Sequence, residues 1–117
     1  MSKVKQFGQM GEALAVKYLK SKGYKILGTN YRCVIGELDI VAKDKNAIVF
    51  IEVKTRLSNE LVEPFESVGV RKQAKLKDLA EFYLQEKEYS DCETRFDVLS
   101  VTTQGKEIKI EHIKDAF

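Results

Sequence analysis

An α/β fold, a mixed sheet with helices packed on it, is predicted by three observations. Two segments carry apolar residues at helical spacing, and five carry the alternation or the apolar run of strands. They follow one another as α, three strands, α, two strands, an order that places helices on a mixed sheet. The 117 residues are 44% hydrophobic with a single Pro, so one domain spanning 1–117 can bury a core.

The first helix is predicted over residues 7–22. Phe7, Met10, Gly11, Leu14, Ala15, Tyr18 and Leu19 recur at helical spacing, and Gly23 supplies the C-terminal stop. Gly8 and Gly11 lie on or beside that apolar face. Each costs about 1 kcal/mol against Ala in a helix, which predicts a close approach to the sheet. Tyr24 to Arg32 reads as a strand, and Cys33-Val34-Ile35 as a loop.

Residues 36–43 and 47–54 then form a hairpin through the turn-prone Asp44-Lys45-Asn46. Residues 57–69, with Ser58-Asn59-Glu60, Pro64 and Gly69, read as an irregular connection. A second helix over 70–88 carries Leu76, Leu79, Ala80 and Tyr83 on one face. Residues 96–101 make a fourth strand. Residues 108–113 alternate strictly and make a fifth, half-exposed one, joined through Gln104-Gly105.

Charge excludes more than it selects. Twenty basic and 18 acidic residues leave +2, so any basic surface is local. No signal core or membrane-length segment is present, and a cytoplasmic location is expected. Cys33 and Cys92 are far apart and read as reduced thiols. The lone His112 cannot support a His-rich metal site, and its place in an alternating segment reads as an exposed strand residue.

The chemistry-bearing feature is the hairpin. Residues 47–51 are wholly apolar, as in a strand covered on both faces, and charge begins at Glu52 and Lys54. Alternation puts those two side chains on one face. Pairing Lys43 with Ile48 sets Asp39 opposite Glu52, with Cβ atoms about 4.5–5.5 Å apart. Like charges so opposed destabilise a sheet, and a dication between them reverses the sign. Two carboxylates on adjacent strands suit Mg²⁺, with Mn²⁺ as a substitute. Lys54 would hold the attacking water or stabilise developing charge. The cluster therefore fits metal-assisted phosphodiester hydrolysis, against the plainer reading in which Glu52 and Lys54 are the wet end of a strand and Asp39 caps a bulge or turn.

Other residues extend this site. Glu12, at the border of the first helix's apolar stripe, can reach toward Asp39 and Glu52 as a further ligand. Its plainer reading is a solvated first-turn glutamate favoured by the helix dipole. Gln73 lies on the buried stripe of the second helix, where an amide needs partners or a polar site to face. Arg56, Arg71, Lys72 and Lys75 gather nearby as candidate phosphate contacts, although such runs are commonly solvated faces. Tyr31 and Phe65 are the loop-adjacent candidates for base stacking.

These residues resemble a known family. Asp39, twelve intervening residues and Glu52-Val53-Lys54 match the Asp…Glu-x-Lys motif of the restriction-endonuclease-like superfamily. Gly8-Gln9-Met10-Gly11-Glu12, Asn30-Tyr31-Arg32, Gly36-Glu37-Leu38-Asp39, Arg95-Phe96-Asp97-Val98, His112-Ile113 and Ala116-Phe117 are similar to the YraN-like group, itself similar to Holliday-junction resolvases. The resemblance implies an αβββαβ core and metal ligation by Asp39 and Glu52. It further implies catalytic support from Lys54, an accessory acid at Glu12 and a helix glutamine at Gln73. A Mg²⁺-dependent endonuclease of structured or branched DNA is then expected, and a homodimer would suit symmetric incision. The alternative is a non-catalytic nucleic-acid-binding or accessory protein that keeps the fold and the metal site.

Overall fold

The computed structural model describes residues 3–57 and 69–117. Its elements are α1 (Lys3–Ser21), β1 (Lys25–Arg32), β2 (Glu37–Asp44), β3 (Ala47–Leu57), α2 (Val70–Glu86), β4 (Glu93–Gln104) and β5 (Glu107–Ile113). This order contains the expected αβββαβ core and adds one strand. Most of the expected irregular connection, with Phe65, lies outside the described residues.

The strands form one sheet in the order β1-β2-β3-β4-β5. Its pairs are antiparallel except β3 and β4, which run parallel and are joined by way of α2. The parallel pair is in register from Ala47–Glu93 to Leu57–Thr103. That long ladder extends β4 well beyond the apolar stretch 96–101, because backbone pairing recruits polar flanks such as Glu93 and Thr103 that carry no hydrophobic signal.

Alternation along β3 explains its apolar run. Val49 and Ile51 pack with Ala15 and Leu19 of α1, together with Ile40, Leu99 and Val101. Ile48 and Phe50 pack with Leu76, Leu79 and Tyr83 of α2, together with Leu38, Val41 and Val98. The helices therefore cover opposite faces, and a central strand buried on both has no polar face until its end. Glu52 and Lys54 continue the α2-facing series.

Two glycines act differently from one another. A Cβ on Gly11 would stand 2.8 Å from Thr55 Cγ2 and 2.9 Å from its Cβ, so α1 rests directly on β3 there. Gly8 has open space where its Cβ would be, so the close-approach reason holds at Gly11 and not at Gly8. Gly23, at φ 89, ends α1 as expected. Tyr24 N–H donates to Leu19 O and Gly23 N–H to Lys20 O, the paired bonds of a left-handed helix terminus.

His112 departs from expectation: its side chain is only 6% exposed. The cause is Asp97, fully buried on β4, whose carboxylate needs donors. Arg95 supplies two, Nε to Oδ1 at 2.9 Å and Nη2 to Oδ2 at 3.0 Å. The Asp115 N–H donates to Oδ1, and His112 Nε2 lies 2.7 Å from Oδ2. Arg95 also donates to Asp44 and to the Tyr24 hydroxyl. Four separated parts of the chain are thereby tied at one point. Cys33 and Cys92 are free, and among the described residues no helix is long and apolar enough to cross a membrane.

Two stability outcomes follow from this packing. Gly11→Ala should lower Tm, because overpacking against Thr55 costs about 1–3 kcal/mol. Gly8→Ala should raise it slightly through helix propensity. Thermal unfolding of the pair checks the contact, and equal effects would refute it.

Burial alone would raise the Asp97 carboxyl, but hydrogen bonds from His112, Arg95 and the Asp115 N–H outweigh burial and hold it low. Its contribution to stability is thus present above the unfolded value of about 3.9 and is lost as pH falls through the lower folded value. Asp97→Ala, which strands Arg95, should cost about 3–5 kcal/mol at neutral pH. Chemical denaturation should show that gap narrowing on acidification.

Candidate active site

The site begins where the β2–β3 ladder stops. Pairing runs from Asp44–Ala47 through the expected Lys43–Ile48 step to Ile40–Ile51. One step further, the Asp39 carboxylate takes over from the backbone: its Oδ2 accepts the Val53 N–H at 2.9 Å. Asp39 is thereby pinned beside the strand that carries Glu52, and a backbone donor at the ladder's end is satisfied.

Glu52 projects toward α2 with its side chain only 11% exposed. Two ammoniums meet it. Lys72 Nζ lies 2.5 Å from Oε1, and Lys54 Nζ lies 3.7 Å from the same oxygen. Lys72, expected to face phosphates, is thus engaged with a carboxylate across the sheet–helix boundary. Arg71 and Lys75 are exposed on the same first turns, and Arg56 is half-buried on β3. Gln73 is half-buried, its N–H bonded to Gly69 O at 2.9 Å. Tyr31 donates its hydroxyl to Glu86 and packs edge-on against Tyr83, anchored rather than presented for stacking.

Glu12 reaches the site from the other face. It lines, with Asp39, Asn30, Glu37, Arg32 and Lys5, an open cleft of about 480 Å³. The Gly11–Thr55 contact one residue earlier sets how near α1 brings it. Asn30 adopts a left-handed φ of 53 and sits between the Thr29–Ile40 and Tyr31–Leu38 pairs, across from Asp39. With its amide turned to satisfy both carboxylates, its nitrogen is 3.0 Å from Glu12 Oε1 and from Glu37 Oε1.

Asn30 and Glu37 are members of the site that sequence reasoning passed over. Glu37 was available from alternation, since it shares a strand face with Asp39. The role of Asn30 required the β1–β2 register, which no local pattern supplies.

The electrostatics are those of crowded acids. Burial pushes the Asp39 carboxyl up to about 7, the Glu52 and Glu12 charges push the same way, and the Val53 N–H and Lys72 oppose them. Glu12 is raised by burial and then by Glu37 and Glu52. Lys54 is lowered by burial and by the adjacent Lys72, with Glu52 opposing. Burial lowers Lys72 as well, yet its bond to Glu52 outweighs that and leaves it raised.

Asp39 and Glu52 offer hard oxygen donors whose mutual repulsion a dication would relieve, a donor set that suits Mg²⁺. Among the described residues, no group of three or more His, Cys, Asp or Glu is arranged to enclose an ion. Glu12 and Asp39 line the same cleft.

Comparison with known proteins sets this geometry in a family. Residues 11–101 match the model of the uncharacterised protein family UPF0102. The chain belongs to that family. A UPF0102 protein of Thermodesulfovibrio yellowstonii is 50% identical over 114 residues, covering 96% of each chain. One from Syntrophus aciditrophicus is 46% identical over 110 residues, covering 94% of this chain and 87% of its own. A third, from Caldicellulosiruptor saccharolyticus, is 44% identical over 115 residues and 98% of its length. The matched span holds Glu12, Asn30, Asp39, Glu52, Lys54 and Lys72, while Lys5 of the cleft lining lies before it.

A raised carboxyl makes a testable statement about stability. Its contribution is complete below about 3.9 and is lost as pH rises through about 7. In chelator at about pH 8, Asp39→Asn should therefore raise Tm by a few degrees, and the gain should fade toward about pH 5. Added Mg²⁺ should stabilise the native chain and leave the Asn variant unmoved. A variant less stable than the native chain at the higher pH would refute the crowding.

Proposed function

We propose that this UPF0102 chain is a Mg²⁺-dependent endonuclease acting on structured or branched DNA, in the manner of a resolvase. The observation that carries the reading is Asp39, pinned by the Val53 N–H beside Glu52 at an elevated pKa. Folding stability does not call for a half-buried Asp39 carboxyl pushed up further by the Glu52 charge, and strongly perturbed groups in a cleft mark functional sites.

Asp39 and Glu52 would hold the ion, with Glu12 bordering the adjoining cleft. The chemistry an ion supplies there is polarisation of a phosphodiester oxygen and a lowered pKa for water. Lys54, lowered by burial and Lys72, gives up its proton more readily than an ordinary lysine, so it can orient the attacking water. In its charged form it stabilises negative charge developing at phosphorus. Lys72 holds Glu52 in place. Arg71 and Lys75, exposed at the start of α2, and Arg56 on β3 would receive backbone phosphates. Gln73 would orient groups at the same helix start.

One observation favours a second reading, a non-catalytic nucleic-acid-binding or accessory protein. Glu52 already carries two ammonium partners, so its charge is compensated by the chain's own residues.

Labelled linear, flap and four-way DNA incubated with Mg²⁺ or Mn²⁺ separates the two. Nicking should depend on the metal, and Asp39→Asn or Lys54→Ala should lower it by at least ~10²-fold. Activity surviving in both variants would remove the assignment. Salt-sensitive binding without product would instead support the accessory role.

A further inference from the structure

A second cleft, of about 430 Å³, lies at the opposite end of the β2–β3 hairpin from the acids. Its lining includes Tyr18 and Lys22 near the C-terminal end of α1, Lys45 in the hairpin turn, and His112 and Lys114 at the end of β5. From Asp39 to Lys45 is about 20 Å along β2 at 3.4 Å per residue. The centre described above uses none of these residues.

The wall of this cleft is rigid and already satisfied. His112 is held by Asp97 and packed between two rings, 5.7 Å from Tyr18 and 5.7 Å from Tyr24. Asp44, which also lines the cleft, is taken by Arg95 at 3.0 Å. The ammoniums are different. Among the described residues Lys22, Lys45 and Lys114 take part in no ion pair, and Lys22 merely overlies the Tyr18 ring at 5.6 Å. Three positive charges thus border a concavity whose own acid is spent.

Lys45 holds a left-handed φ of 55 in the hairpin turn, a conformation that Gly or Asn adopts at less cost. Like charges around one concavity repel, and an anion within it reverses that repulsion. Low-dielectric walls focus the field further. The volume accommodates a nucleotide, and the Tyr18 ring offers it an apolar surface.

We propose that this cleft is a phosphate-binding site, taking the phosphate of a nucleotide, free or within a nucleic-acid strand, among Lys22, Lys45 and Lys114. Because the site stands apart from the acids, its readout is binding and does not depend on cleavage.

His112 is the sole histidine of the chain, so its imidazole gives one resolvable set of NMR signals. Titration with AMP, and separately with a 5′-phosphorylated thymidine hexanucleotide, should move those signals saturably. A shift with AMP assigns free nucleotide as the source, and a shift with the hexanucleotide alone assigns a strand. The combined Lys22→Gln, Lys45→Gln, Lys114→Gln variant should weaken that binding at least about tenfold. A control carrying Lys77→Gln, Lys87→Gln and Lys106→Gln, exposed positions elsewhere, should leave it intact. Silence with both probes, a shift that survives in the cleft variant, or equal weakening by the control overturns the site.

Discussion

The candidate centre depends on one substitution of partners: a carboxylate takes the place of a backbone carbonyl at the end of a ladder. Asp39 accepts the Val53 N–H where β2 stops pairing with β3, so the acid is fixed by the same bond that finishes the sheet. Its nearness to Glu52 is then dictated by strand spacing rather than by flexible side chains. A crowd of acids built on paired strands cannot relax by drifting apart. It must be protonated, neutralised by lysines or bridged by a cation, and burial with the Glu52 and Glu12 charges pushes the Asp39 carboxyl up.

The two helices serve the centre from opposite faces. From one side α2 delivers Lys72 to Glu52, and from the other α1 delivers Glu12 to the cleft shared with Asp39. Each delivery relies on close packing. The absent side chain of Gly11 lets α1 rest on Thr55, and Leu76 and Leu79 seat α2 on Phe50 and Val98. Asn30, in a backbone conformation unusual within a strand, links Glu12 to Glu37 and so joins the helix to the sheet edge. Strain of that kind is commonly retained where geometry serves a site.

At the far end of the hairpin the logic is reversed. Asp97 is fully buried, yet its hydrogen bonds hold its pKa down, whereas the one to Asp39 does not. Full satisfaction makes Asp97 a structural anchor, and partial satisfaction leaves Asp39 available for a ligand. The lysines beside the anchor extend the contrast: among the described residues they take part in no ion pair, while Asp44 and His112 of the same cleft are already bonded.

The sequence by itself determined what depends on short-range periodicity. The apolar run of β3, the stripe Leu76, Leu79, Ala80 and Tyr83, the glycine stop at Gly23 and the Lys43–Ile48 register were legible because each is set by neighbours within a few residues. The same reasoning reached Asp39, Glu52 and Lys54, since hairpin register is local. Tertiary structure alone decided the rest: Lys72 on Glu52, Asn30 between two acids, the full reach of β4, and the burial of His112. Those contacts join residues on different elements of the chain, and a polar side chain's partner is chosen by which backbone happens to arrive beside it.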